Sequence, residues 1–395
     1  MSFKFELEYD VAVAGGGIAG VAAALAAARR GRKTVLLESQ AFLGGLATSG
    51  LIYLYLPLCD GKGRQVSFGI TEELLRLAPE YGPFDLPEEW DGPEGGFTGG
   101  KSTRFECRFS PAGYILTLDK LLKEAGVDLF LETRICDVQT NSDYAITAIE
   151  TENLAGRGKI SAKRFVDATG DAALIRYAGG AVETGSNYLT PWVLEHCKEV
   201  SMFPFDHNLE MKAFYRRTEK PEYQWNSNDP KGLTGFIRDS WELLRNYYDK
   251  SYAEGACRKD LYPLHLPAMA QIRMAARIIG KETLTTGSDK QTFDSSVGLY
   301  GDWRAADKVW EVPYGILLPE TVRGTLAAGR CISTTEDAWD AFRVIPSAAL
   351  TGEIAGVAAD LSISQKCDPA ELSTDILKDE LRKLNYKFHY QEIIS

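Results

Sequence analysis

Histidine is scarce in this chain, four in 395 residues, and none of His196, His207, His265 or His389 stands at metal-ligand spacing from another or from a cysteine. No bound metal is therefore expected. Cysteine is sparse and scattered: Cys59, Cys107, Cys136, Cys197, Cys257, Cys331 and Cys367 are odd in number and include no C-x-x-C pair. That excludes a disulfide framework and predicts reduced, mostly buried thiols, with the cytoplasm as the default location. A basic excess is also missing. Lys plus Arg is 44 against Asp plus Glu 55, a net charge of −11 without long like-charged blocks. Nucleic acid and anionic membranes need a basic face, so the expected partner is a small-molecule substrate. Apolar residues are not lacking. At 45% hydrophobic and 25% charged the chain can bury a large core, and its length suits two or three domains, which excludes disordered and fibrous architectures.

One uncharged run, Val11 to Ala28, approaches the length of a membrane span. Three consecutive glycines interrupt it, alanine contributes little transfer energy, and the preceding residues FELEYD are acidic where a signal peptide wants a basic start. No membrane insertion is expected. The run reads instead as a buried strand, Asp10 to Ala14, a turn at Gly15 to Gly17, and a helix from Ile18 to about Arg30.

That context gives meaning to Gly15-Gly16-Gly17-Ile18-Ala19-Gly20, which fits G-x-G-x-x-G. Gly15 permits the tight turn, Gly17 lets backbone N–H groups approach a pyrophosphate, and Gly20 lets the helix sit close to the strand. The helix N-terminus, with free N–H groups and a partial positive charge, faces the phosphates. Lys33 to Leu37 reads as a second parallel strand ending at Glu38, beside Ser39. A carboxylate there can accept hydrogen bonds from both hydroxyls of an adenosine ribose. Strand, turn, helix, strand and acid together predict a dinucleotide site. FAD and NAD share this fingerprint, so the motif alone leaves both open.

The loop that follows, QAFLGGLATSGLI from Gln40 to Ile52, carries Gly44, Gly45, Leu46, Ala47 and Thr48. In this place the chain resembles the FAD-dependent oxidoreductases related to the fumarate reductase and succinate dehydrogenase flavoproteins. Three further blocks carry the resemblance: Phe165 to Ala172 (FVDATGDA), Glu311 to Pro319 (EVPYGILLP), and Thr325 to Ala359, which includes AAGRCIS and FRVIPSAALTGEIAG. The resemblance implies an FAD cofactor, and cofactor contacts from Ala168, Thr169 and Gly170 and from Gly329 and Arg330. It also implies that the strand within Val127 to Val138, after an amphipathic helix over Ala112 to Glu124, brings Ile135 to the adenine. Glu336 and Asp337 occupy the stretch where relatives carry an imidazole, so no histidine role transfers from there.

Near the C-terminus, a helix beginning around Ser347 after Pro346 presents Ser347 and Ala348. Its N-terminus can stabilise negative charge at the N1–O2 edge of a flavin. Arg343 either supports that charge or sits in a salt bridge.

The expected fold is α/β: a Rossmann-like FAD-binding domain of the three-layer glutathione reductase type with an inserted α+β substrate cap. The expected boundaries are 1–182 for the first part of the FAD domain, with a lid-like excursion at 60–102. They continue as 183–308 for the cap, 309–365 for the second part, and 366–395 for a C-terminal helical tail. Asp239 to Tyr252 and Ala268 to Leu284 read as cap helices, the second placing Arg273 and Arg277 on one face. Two guanidiniums there either clamp a substrate carboxylate or phosphate or make structural ion pairs. His265, between Pro263 and Pro267, and Tyr314, after Pro313, are candidate proton donors beside a flavin. The expected chemistry is hydride transfer between a small polar or anionic substrate and flavin N5. The alternatives are a NAD-binding dehydrogenase and a non-catalytic FAD-binding electron-transfer subunit. One G-x-G-x-x-G does not support a second, NADPH-binding domain, so an external electron donor or acceptor is expected, and Asp375 to Leu384 either packs back or joins a homo-oligomer.

Overall fold

From Phe5 to Asp10 burial is partial, and from Val11 to Ala14 it is complete, the pattern of a strand running into a sheet covered on both faces. The computed structural model describes residues 2–86, 106–199, 204–206, 209–214, 223–224, 226 and 229–394. Of the excursion expected at 60–102, residues 60–86 are described and 87–102 lie outside the described residues. The strand just named, β1 (Phe5–Ala14), is followed by α1 (Ile18–Arg29) and β2 (Thr34–Leu37), then a short antiparallel ribbon of β3 (Leu54–Tyr55) and β4 (Cys107–Arg108) flanked by α2 (Ile70–Leu77) and α3 (Pro111–Glu124). Next come β5 (Asp128–Phe130), β6 (Arg134–Thr140), β7 (Ile146–Asn153), β8 (Gly156–Asp167) and α4 (Ala173–Tyr177).

The main sheet runs in the order β5-β2-β1-β8-β7-β6. β5, β2, β1 and β8 are parallel, with Ala14 opposite both Leu37 and Asp167. β6, β7 and β8 form an antiparallel meander. Glycines let α1 pack tightly here: a Cβ at Gly352 would lie 2.2 Å from the Ala19 carbonyl oxygen, and one at Gly356 would lie 2.4 Å from that of Ala23. A helix covered by a sheet on one side and a helix on the other is apolar all round, which explains the uncharged run. Among the described residues no single helix is long and apolar enough to cross a membrane.

The single strand expected over Val127 to Val138 is two. Between them Glu132 takes a positive φ of 49°, its N–H donates to the Gln40 carbonyl at 3.0 Å and that of Thr133 to the Glu38 carbonyl at 2.8 Å. Bonding to the loop after β2 thus replaces sheet pairing and turns Thr133 to Ile135 toward that loop.

The middle of the chain holds β9 (Val182–Thr184), β10 (Ser186–Asn187), β11 (Trp192–Cys197), β12 (Pro204–Asp206), β13 (Leu209–Ala213), β14 (Tyr223–Gln224), α5 (Gly232–Ala253), β15 (Leu261–His265) and β16 (Ala276–Ile278). Here β12, β13, β11 and β15 make an antiparallel sheet, against which α5 packs Leu244 and Tyr248 beside Val193 and Leu261.

The helix expected over Ala268 to Leu284 does not form. The Asn187 side chain accepts the N–H groups of Arg273 and Met274, both at 2.9 Å, and donates to the Met274 carbonyl at 2.7 Å. β16 then pairs antiparallel with β9. Side-chain and ladder bonds to residues 182–187 outcompete the helical bonds that a Met- and Ala-rich segment would otherwise make.

After β17 (Ser296–Gly301) and β18 (Val309–Pro313), β19 (Thr325–Ala327) re-enters the main sheet parallel to the end of β8. α6 (Glu336–Phe342) and α7 (Ile345–Ser364) follow, and α8 (Thr374–Arg382) packs back. Leu377, Leu381, Tyr386 and Phe388 are buried in the main core, and the Glu353 carboxylate on α7 accepts the Tyr386 hydroxyl at 2.7 Å.

Candidate active site

The strand-to-helix turn after β1 is built by close approaches. A Cβ at Gly15 would meet the Ala168 carbonyl oxygen at 2.6 Å and one at Gly20 the Gly15 carbonyl oxygen at 1.8 Å, whereas a Cβ at Gly17 would meet nothing within 4 Å. The open space before Gly17 is part of a cavity of about 550 Å³. Gly15, Gly17, Ile18 and Ala19 line it, as do Glu38, Ser39, Gly44, Gly45, Leu46 and Ala47, and Ile135. Ala168, Thr169 and Gly170 also line it, with Gly329, Arg330, Arg343 and Ala348. Residues more than 300 positions apart in the sequence thus border one space.

Three of the expected cofactor residues do not line it. Gly20 serves the packing just described. The Thr48 hydroxyl is turned into its own loop, where it donates to the Leu43 carbonyl. The Ser347 hydroxyl is buried and donates to the Phe342 carbonyl at 2.5 Å and to that of Val344 at 3.0 Å. Both hydroxyls hold backbone shape, and their bonds satisfy the polar group that burial would otherwise penalise.

Glu38 is fixed before any ligand arrives. Its Oε2 accepts the Gly16 N–H at 2.7 Å, and its Oε1 accepts the Gln40 N–H at 2.8 Å and the Ser39 hydroxyl at 3.1 Å. Burial raises its pKa, and these donors oppose the rise. Asp167 does the same for the opposite wall. Its carboxylate accepts the Thr169 N–H at 3.1 Å, the Thr169 hydroxyl at 2.6 Å and the Leu174 N–H at 2.8 Å. Full burial pushes this carboxyl up to about 6.

Two helix N-termini border the cavity without a side-chain cap, α1 at Gly17 and α7 at Val344. Each offers free N–H groups and a partial positive charge to an anion. The cations are Arg134, Arg176, Arg330 and Arg343. Arg176 is paired with Asp171 at 2.7 Å. Arg343 is paired with Asp340 at 2.6 Å, the salt bridge of its second reading, and it also borders the cavity. Arg330 donates to the Ile272 carbonyl and stacks so closely on Gly170 that a Cβ there would lie 2.3 Å from its Nη2. Desolvation pulls the pKa of this guanidinium down and neighbouring Asp171 opposes that. Two uncapped helix ends that donate to an anion, a carboxylate for ribose hydroxyls and a glycine cradle fit the pyrophosphate, ribose and ring system of FAD.

The three expected catalytic side chains lie elsewhere. His265 is exposed on β15, opposite Leu194 of β11, and is absent from the cavity wall. Tyr314 is buried and donates to the Pro369 carbonyl at 2.9 Å, an anchor for the C-terminal segment; burial raises its pKa. Arg273 donates to the Thr190 hydroxyl and to the Gln271 carbonyl. Arg277, on β16 rather than on a shared helical face, is buried and paired with Glu183. Of the two readings of Arg273 and Arg277, the anion clamp on one helical face is not assembled, and Arg277 makes the structural ion pair of the other.

Sequence reasoning missed Arg134, Asp171, Arg176 and Tyr177, and the wall supplied by Leu233 and Ile237 of α5 with Ala268, Met269, Ala270 and Ile272. Arg134, Asp171 and Arg176 lie in or near quoted motifs and a search for charges there would have found them, whereas Tyr177 carries no charge to mark it. The last group depends on an extended course for 268–275, pinned where the Ala268 N–H donates to the Ser49 carbonyl at 2.8 Å and Gln271 to that of Gly50.

Several solved structures align with this chain at low identity. A geranylgeranyl bacteriochlorophyll reductase-like protein from Thermoplasma acidophilum is 14% identical, with 98% of this chain and 95% of that one covered and a TM-score of 0.46. A p-nitrophenol 4-monooxygenase from Pseudomonas putida DLL-E4 is 11% identical, with 95% and 83% covered and a TM-score of 0.48. A 3-ketosteroid-delta4-(5alpha)-dehydrogenase from Rhodococcus jostii RHA1 is 15% identical, with 89% and 95% covered and a TM-score of 0.39. At identities this low their activities do not carry over. No match is found among curated proteins. The family model "FAD dependent oxidoreductase" matches residues 10–231 and 208–381, and the chain belongs to that family: it is an FAD-dependent oxidoreductase.

Proposed function

We propose that this enzyme transfers a hydride between a carbon of a small-molecule substrate and flavin N5, with the substrate held between the cofactor walls and the segment formed by α5 and residues 268–275. One observation carries the reading: the 550 Å³ cavity has the dinucleotide-binding blocks on one side and Leu233, Ile237, Met269 and Ile272 on the other. Bound FAD supplies a two-electron donor or acceptor there. In this reading residues 1–182 and 309–365 form the cofactor domain, 183–308 the substrate cap, and 366–395 a tail that braces the first.

Each wall has a task. Glu38 accepts the adenosine ribose hydroxyls, the N–H groups after Gly17 take the pyrophosphate, and Ile135 meets the adenine through its backbone. Gly44 to Ala47 and Ala168 to Gly170 offer small residues and backbone groups to the ribityl chain and ring. Arg343 and the first turn of α7, which borders the cavity at Val344, Ile345 and Ala348, would stabilise charge at the N1–O2 edge. Arg330 touches both the Gly170 wall and the Ile272 carbonyl, and we assign it to orient the polar end of the substrate in place of Arg273. The apolar 268–272 strip excludes water from the reacting atoms.

The test is anaerobic. Holoprotein is screened against alcohols, enones and carboxylates for bleaching of the visible flavin bands, and the reduced protein against the corresponding acceptors for their return. Compounds that act are then repeated with deuterium at the transferred position. Bleaching with a primary isotope effect supports hydride transfer. Flavin bands that no metabolite moves, in a protein that chemical reductants bleach readily, favour the electron-transfer subunit instead.

A further inference from the structure

Two more cavities border α5. One of about 170 Å³ lies between Phe236, Ser240, Trp241 and Leu244 and the segment 267–271. Another of about 410 Å³ lies between Trp241, Tyr248 and Tyr252 and the stretch that holds Pro263 and Leu266. Neighbouring cavities share walls. Ile237, Ala268, Met269 and Ala270 border the cofactor cavity and the second, and Trp241 and Leu244 border the second and the third.

The order is the same on both sides. Along α5 the walls progress from Leu233 through Ile237 and Trp241 to Tyr252, while along the facing segment they run in reverse from Ile272 through Met269 to Pro263. α5 and residues 263–272 thus lie side by side and antiparallel, with a row of cavities between them that begins at the cofactor. From Leu233 to Tyr252 a helix rises about 28 Å. Side chains 233, 237, 241, 244, 248 and 252 recur at three- and four-residue spacing on one face. Such a face normally packs into a core, yet Trp241 is 42% exposed, and Leu233 and Leu266 are also exposed.

The middle cavity presents hydrocarbon. The Ser240 hydroxyl donates to the Phe236 carbonyl at 2.9 Å, while Gln271 donates to the Gly50 carbonyl and accepts the Trp192 N–H at 2.8 Å. Of the two cavities beyond the cofactor, only the outer one is bordered by charged groups, Arg245 and Asp249. A large protein partner would need a broad face, whereas the middle recess shares walls with the cofactor cavity and the outer one shares walls with the middle one.

We propose that this row is a track for the apolar body of the substrate, an extended hydrocarbon chain, straight or isoprenoid, whose reacting end lies in the cofactor cavity. The proposal rests on the hydride-transfer reading above and names its substrate class. Apolar burial is the driving force, about 0.8 kcal/mol per buried methylene, which makes affinity rise about fourfold for each one added.

The test is calorimetric titration of holoprotein with butanol, octanol and dodecanol, and in parallel with geraniol and farnesol. Affinity should climb steeply with chain length, and the tighter of dodecanol and farnesol tells straight from isoprenoid chains. Trp241→Glu should weaken dodecanol or farnesol by about tenfold or more, leave FAD content unchanged, and be rescued by Trp241→Phe. If Trp241→Glu loses its FAD, Leu266→Glu at the outer cavity replaces it. Affinity independent of chain length, or untouched by these variants, overturns the track. So does concentration-dependent self-association that the variants abolish without any chain binding. A protein that binds chains with this dependence while no compound bleaches its flavin keeps the track and loses the hydride reading.

Discussion

The Oε2 atom of Glu38 accepts the backbone N–H of Gly16 at 2.7 Å, tying the end of β2 to the glycine turn that opens α1. The acid that is to receive the ribose therefore also holds the turn that is to receive the pyrophosphate. Charge-assisted bonds of this kind contribute about 1.5–3 kcal/mol. Glu38→Ala should accordingly weaken FAD binding by about 10- to 100-fold, read from the fluorescence of released flavin. Because burial raises the Glu38 pKa, protonation on acidification should also weaken wild-type binding, and Glu38→Gln should flatten that pH dependence.

Gly17 and Gly20 separate ligand space from packing space. A Cβ at Gly17, whose φ of −66° suits any residue, meets no protein atom within 4 Å, but one at Gly20 would lie 1.8 Å from the Gly15 carbonyl oxygen. Gly17→Ala should fold with an unchanged apoprotein Tm and lose FAD affinity. Gly20→Ala should lower the apoprotein Tm as well. Thermal melts with and without added FAD distinguish the two.

Glu353 makes stability depend on pH. It is buried on α7, accepts the Ile70 N–H and the Tyr386 hydroxyl, both at 2.7 Å, and burial pushes its carboxyl up from 4.5 to about 7. The folded protein binds a proton that the unfolded chain has released. Stability from this group is therefore full below pH 4.5 and declines as pH rises toward 7, by about 3 kcal/mol. Glu353→Gln should remove that decline, leaving a protein more stable than wild type at neutral pH and similar to it in acid. Denaturant melts across this range measure it.

Asp340 holds Arg343 at 2.6 Å at the border of the cofactor cavity, and Arg304 reaches the same carboxylate at 3.1 Å. If Arg343 stabilises charge at the N1 edge, Arg343→Gln should make the flavin potential more negative by about 20–40 mV, close to the 1.4 kcal/mol that 30 mV represents for two electrons. Asp340→Asn should move it the other way. Equilibrium titration with a redox dye reads both.

The strand, glycine turn, helix and Glu38 were legible because each follows from local chemistry: buried runs, a backbone that only glycine permits, and an acid at a strand end. The blocks at Ala168 to Gly170 and Gly329 to Arg330 were legible through resemblance, and their meeting in one cavity required the parallel pairing of β1, β8 and β19. The segment 268–284 was not legible. Its composition favours a helix, and the bonds that override it come from Asn187 and β9, some 90 residues away, which spacing cannot report. For the same reason Arg273 and Arg277 share no helical face, and Tyr314 gave no sign that its hydroxyl is bound to Pro369.

The most direct measurement is the absorption spectrum of the purified protein, repeated on the supernatant after acid precipitation, with the released compound identified by mass. The structure predicts flavin bands that pass into the supernatant with the mass of FAD, and their loss in Gly17→Ala. A colourless protein that takes up no added FAD would contradict the account.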